Sequence, residues 1–82
     1  MNAGVWQQMS AGERIRARRK KLNLSQSELS REAGVDRALI CKIEAGKRGI
    51  GLLTATRLAE VLGIQTESLY ADKKPKKVAA PS

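Results

Sequence analysis

Apolar residues recur at helical spacing along the middle of the chain, and residues with helix-start or helix-stop chemistry separate the runs. Leu52, Ala55, Leu58, Ala59 and Leu62 repeat at steps of three and four, the stripe of a helix packed on a core. Leu29 with Ala33, and Ile40 with Ile43, give two shorter stripes. Ile15 and Leu22, with Ala17 or Arg18 and Arg19 between them, supply the inner face of another. Ser10 and Ser25 are each followed three residues later by Glu, so each opens a capping box: one helix begins after Ser10 and runs to about Lys21, the next begins at Gln26. Gly34 ends that second helix and turns the chain cheaply through positive φ, Val35 points inward, and Asp36 caps a third helix over 36–45. Gly46 ends the third, Gly51 caps and Gly63 ends the fourth, and Thr66 caps a short fifth with Leu69 and Tyr70 on one side.

The stretch SQSELSREAGVDRALICKIEAGK, from Ser25 to Lys47, therefore predicts two short helices held at a fixed angle by a tight turn. With Ile40 and Ile43 buried, the third helix turns Arg37, Ala38, Cys41 and Lys42 outward. That face is short, partly basic and built of small side chains, which suits insertion into a groove better than packing against protein.

At these residues the chain resembles the helix-turn-helix DNA-binding domains of the phage repressor and Cro type, also called the xenobiotic-response-element type. The resemblance is carried by Gln26, Leu29, a small residue at Ser30, Gly34, Val35, Ile40 and Ile43, and by Glu44, Gly46 and the LAEVLGI run from Leu58 to Ile64. It extends from about Gly12 to Tyr70 and leaves both ends uncovered. Ser30 stands where the family usually has Ala, and its hydroxyl is expected to bond back to a carbonyl of its own helix. The family implies an all-α, five-helix, lambda-repressor-like domain. By the same resemblance Arg37, Ala38, Cys41 and Lys42 read bases in the major groove, with Arg37 as the bidentate donor to a guanine and Cys41 as an apolar contact to a thymine methyl. Gln26, Lys47 and Arg48, with Arg18 a lesser candidate, grip phosphates, and Arg19 pairs with Glu44 to clamp the first helix onto the third. The last helix often forms a dimer interface in this family, which points to Ile64, Leu69 and Tyr70, although Leu69 fits a core position equally well.

Composition supports a polyanionic partner. The 82 residues carry 16 Lys and Arg against 8 Asp and Glu, a net charge of +8. Arg14, Arg16, Arg18, Arg19, Lys20 and Lys21 crowd the first helix, where like charges at neighbouring positions repel until something offsets them. The absence of His, a single Cys, and the lack of a phosphate-cradling loop argue against catalysis, a zinc site or any cofactor. No apolar run approaches a membrane span, so a cytoplasmic protein is expected.

Three segments follow: a flexible N-terminal arm over 1–9, the DNA-binding domain over 10–72, and a basic disordered tail over 73–82 whose four lysines supply half of the net charge. Trp6 is the arm's one large apolar residue, either loose or covering an apolar gap on the domain. The function expected is a sequence-specific, double-stranded DNA-binding transcriptional regulator, a repressor acting as a homodimer. An antitoxin with a toxin partner or a restriction-system controller is the alternative within the same chemistry, and a protein-interaction or coactivator module on this fold is the alternative outside it.

Overall fold

The computed structural model describes Trp6 and residues 8–70, and among these residues it contains helices and no strand. Trp6 and Gln8 are themselves helical. Five helices follow: α1 Ala11–Lys21, α2 Gln26–Ala33, α3 Arg37–Glu44, α4 Leu52–Leu62 and α5 Glu67–Tyr70.

Each start and stop has a local cause. The Ser10 hydroxyl accepts from the Glu13 amide at 3.2 Å while the Glu13 carboxylate accepts from the Ser10 amide at 2.9 Å. Ser25 and Glu28 repeat the exchange at 3.0 and 2.8 Å, so both helices begin with two otherwise orphaned amides satisfied. At the end of α1, Asn23 takes the left-handed conformation at φ 60°, and the Leu24 amide reaches back to the Arg19 carbonyl at 2.9 Å. Gly34 ends α2 at φ 69°, the geometry expected of the pivot. Asp36 does stand at the N-cap of α3, yet its side chain makes no capping hydrogen bond. Ser30 also departs from expectation: its hydroxyl donates forward across the turn to the Val35 carbonyl at 2.6 Å, tying α2 to α3 directly.

The core is one cluster that all five helices and the α3–α4 loop share, with Ile15, Leu29, Val35, Ile40, Ile43, Ile50, Leu58, Leu62 and Leu69 among its members. α1 packs on α3, α4 and α5, while α2 packs on α3 and α4. Three residues go the other way from the pattern. Leu22, expected on the inner face of α1, and Leu52, expected on the core stripe of α4, are exposed at helix ends, and Ile50, inside a Gly-rich basic loop, is buried. The crossing of α1 and α3 is close enough that a Cβ on Gly12 would lie 2.1 Å from the Ile43 carbonyl oxygen, so only glycine permits it.

Leu69 requires a correction. It is fully buried in the domain's own core, which removes it from any surface between two copies, and leaves Ile64 and Tyr70 only half-buried beside it. Of the expected arm, Trp6 is half-buried: its carbonyl accepts from Arg14 Nε at 3.0 Å and the Arg14 guanidinium carbon stands 5.4 Å from the ring centroid. The remaining arm residues 1–5 and 7, and the tail from 73, lie outside the described residues. No described helix is long and apolar enough to cross a membrane.

Candidate nucleic-acid interface

α2 and α3 meet at the Gly34 turn and are fixed there by three contacts: the Gly34 and Val35 amides to the Ser30 carbonyl, at 2.9 and 3.2 Å, and the Ser30 hydroxyl to the Val35 carbonyl. This rigidity presents α3 as a unit. Ile40 and Ile43 anchor it in the core, and Arg37, Ala38, Cys41 and Lys42 are all exposed. Lys47 and Arg48 follow on the exposed loop, whose first turn closes through Gly46 at φ 77° with the Lys47 amide bonded to the Lys42 carbonyl at 2.9 Å.

Arg19 lies behind this face. Its Nε and Nη2 donate to the two carboxylate oxygens of Glu44 at 2.8 and 2.9 Å, and its Nη1 donates to the Leu24 carbonyl at 2.9 Å. Both side chains are nearly enclosed, at 11% and 5% exposure. The hydrogen bond to Glu44 raises the guanidinium above its ordinary value, against the opposing effect of burial. Gln26 joins the same group, donating from Nε2 to Glu44 Oε1 at 3.1 Å. One carboxylate thus orients both the arginine of α1 and the first residue of α2, and Gln26 is half-buried against it.

The basic face of α1 divides in two. Arg14 donates to the Trp6 carbonyl and, through Nη1, to the Ser68 carbonyl of α5. Arg18 Nε donates to the Leu62 carbonyl at 2.8 Å, at the C-terminal end of α4 where a cation is favoured, and shares a hollow with Trp6, Ala17, Lys21 and Ile64. Arg18 and Arg14 thus hold carbonyls of α4, α5 and Trp6. Arg16 shares a concave surface with Arg19, Gln26, Cys41, Glu44 and Ala45. Sequence reasoning passed over Arg16 because every basic residue of α1 looks alike in the charge run; only its helical phase relative to Arg19, three positions on, marks it.

The helix-turn-helix family profile matches residues 15–69, two thirds of the chain and all of the helix pair just described. The chain belongs to the helix-turn-helix family. It is 32% identical over 65 residues to the immunity repressor protein of Bacillus phage phi105, covering 79% of this chain and 45% of that repressor, so the chain spans less than half of that relative. Two solved helix-turn-helix structures share its fold. The restriction-modification controller protein C.AhdI from Aeromonas hydrophila superposes with a TM-score of 0.68 at 33% identity, over 73% of this chain and 91% of that one. The N-terminal DNA-binding domain of SinR from Bacillus subtilis superposes with a TM-score of 0.71 at 28% identity, over 80% and 96%.

Proposed function

We propose that this helix-turn-helix protein is a sequence-specific, double-stranded DNA-binding transcriptional regulator that represses from an operator, with α3 in the major groove. The observation that carries the reading is the exposed face of α3: Arg37 and Lys42 bracket the small residues Ala38 and Cys41 on a helix whose other side is locked in the core. Such a face brings hydrogen-bond donors to base edges without bulk to hold them off. A protein-docking face would instead carry aromatic or large apolar anchors, and none stands among these four residues. Gln26, Lys47, Arg48 and Arg16 flank the face and take the phosphates on either side.

One eight-residue helix reads only a few base pairs, so two copies act on half-sites about 34 Å apart, in the cytoplasm where the operator lies. A restriction-system controller is the second reading, supported by the identity to C.AhdI, 33% against 28% to the SinR domain. Both readings share the same chemistry at α3.

Selection of bound sequences from a random double-stranded DNA library tests the proposal. An enriched motif with two-fold symmetry is expected, and Arg37→Ala should then lose about 1–3 kcal/mol on that motif and relax its preference at one position. A library that returns no enriched sequence overturns the DNA-binding reading, and an equal loss for Arg37→Ala on selected and random DNA removes Arg37 from base reading.

A further inference from the structure

The hollow that Arg18 shares with Trp6, Ala17, Lys21 and Ile64 has a volume of about 240 Å³. Its residues come from the segment before α1, from α1 itself and from the turn that follows α4, and none belongs to α2, α3 or the loop after α3. Trp6, Ala17 and Ile64 line it with apolar surface, Arg18 and Lys21 bring two cations, and no carboxylate is among the lining residues.

The walls are set without a guest. The Trp6 carbonyl accepts from Arg14 Nε at 3.0 Å, and the Arg14 guanidinium carbon stands 5.4 Å from the indole centroid, which holds the ring against α1. Arg18 is half-buried, and the 2.8 Å bond from its Nε to the Leu62 carbonyl fixes the plane of its guanidinium. Its Nη groups make no hydrogen bond among the described residues, so the rest of a rigid donor fork is presented with nothing to bind. Lys21, exposed and three positions on, adds a like charge at helical neighbour spacing, a repulsion that nothing in the hollow relieves.

We propose that this hollow binds a small amphiphilic organic anion: a carboxylate carried on one ring or a short alkyl chain, with the apolar body against Trp6, Ala17 and Ile64 and the carboxylate on Arg18 and Lys21. Charge complementarity selects this occupant. A cationic guest is repelled twice, and a neutral one leaves the Arg18–Lys21 repulsion in place. A carboxylate offsets both cations and accepts charge-assisted hydrogen bonds from the fixed fork. Size sets the rest, because pockets for drug-sized ligands run to roughly 300–1,000 Å³ and this one is smaller. Apolar walls with a few placed charged donors are the usual make-up of such a site. A guest would bridge Trp6, α1 and the end of α4, so occupancy raises the melting temperature by favouring the folded state. It touches no residue of α3, and the site stands or falls independently of DNA binding there.

Trp6 is the chain's single tryptophan, so its fluorescence reports this hollow directly. The full-length protein is titrated with phenylacetate and with hexanoate, with their neutral amides, and with acetate, which has the charge but lacks the body. At least one of the two larger carboxylates should give a saturable fluorescence change and a matching rise in melting temperature. Its amide should bind about tenfold more weakly, the loss expected for a charge-assisted contact, and acetate should not saturate over the same range. Lys21→Gln, at an exposed position, should keep the melting temperature of the free protein and weaken the carboxylate severalfold. Ala17→Met, which fills the hollow, should abolish saturation, with circular dichroism as the control for folding. No saturable change with either larger carboxylate overturns the site. Equal affinity for carboxylate and amide overturns the anion as its occupant, and equal affinity for acetate overturns the role of the apolar walls. Undiminished carboxylate binding in both Lys21→Gln and Ala17→Met places the guest elsewhere and overturns the proposal as well.

Discussion

Glu44 is the residue on which the others depend, because its two oxygens accept from Arg19 twice and from Gln26 once while its side chain is almost wholly covered. Removing it strands a guanidinium in a site that water barely reaches. Glu44→Ala should therefore destabilise the fold by about 3 kcal/mol or more, whereas the exposed Glu60→Ala should stay within about 0.5 kcal/mol. Thermal melts of the two variants decide, and equal melting temperatures would show that the pair contributes nothing. The second prediction at this scale separates two arginines two positions apart. Arg16 faces the concave surface beside Cys41 and Gln26, while Arg18 is turned to the Leu62 carbonyl. Arg16→Ala should lower the slope of log affinity against log salt by about one unit; Arg18→Ala should leave that slope unchanged and reduce stability instead. The reverse order would place Arg18, not Arg16, on phosphate.

At the scale of elements, the helices begin and end where short-range chemistry tells them to, but their crossings depend on contacts far apart in sequence. Gly12 shows this most sharply, since its missing Cβ lets α1 approach the backbone of α3 at Ile43. Gly12→Ala should cost at least the roughly 1–3 kcal/mol of ordinary overpacking, because a carbonyl in a helix cannot rotate away as a side chain can. Gly51→Ser is the contrast. A Cβ there meets nothing, α4 has no side-chain cap, and a serine hydroxyl should stabilise by a few tenths of a kcal/mol, about the advantage of Ser over Gly at this position. Chemical denaturation of both variants reads the difference. Acid provides a further check on α2. Hydrogen bonds from the Ser25 amide, and to a lesser degree the Ser25 hydroxyl, hold the Glu28 carboxyl below its ordinary value. A group depressed in the folded state contributes stability that is present above its unfolded value and is lost as pH falls through the folded one. Wild type should therefore lose stability faster than Glu28→Gln as pH falls through the carboxylate range, and parallel acid profiles would show that the charge on Glu28 adds nothing to the cap.

At the scale of the whole molecule, charge and shape are arranged separately. Carbonyls hold the side chains of Arg14 and Arg18 without neutralising them, whereas Glu44 offsets the charge of Arg19, so the donors of α1 free to reach a phosphate are expected to be Arg16, Lys20 and Lys21, beside the α3 face, the Lys47–Arg48 loop and the four lysines after residue 72. Removing residues 73–82 should weaken binding to random and selected DNA alike and make the salt dependence shallower, while the preferred sequence stays the same. A changed preference would make the tail a base reader. The sequence by itself determined the helix boundaries, because capping boxes at Ser10 and Ser25 and left-handed glycines at Gly34, Gly46 and Gly63 act within a few residues, and it determined the outward set of α3, because Ile40 and Ile43 fix that helix's phase. It also carried the Arg19–Glu44 pairing, through the family pattern. What it left undecided were choices between chemically identical neighbours. Arg14, Arg16 and Arg18 have the same side chain and differ only in which helix end or surface lies opposite, and Leu69 and Leu53 are the same residue with one enclosed by α1 and α4 and the other facing water. Those assignments depend on how α1, α4 and α5 cross, and a crossing is set by packing between residues dozens of positions apart, such as Gly12 on Ile43, which no local pattern records.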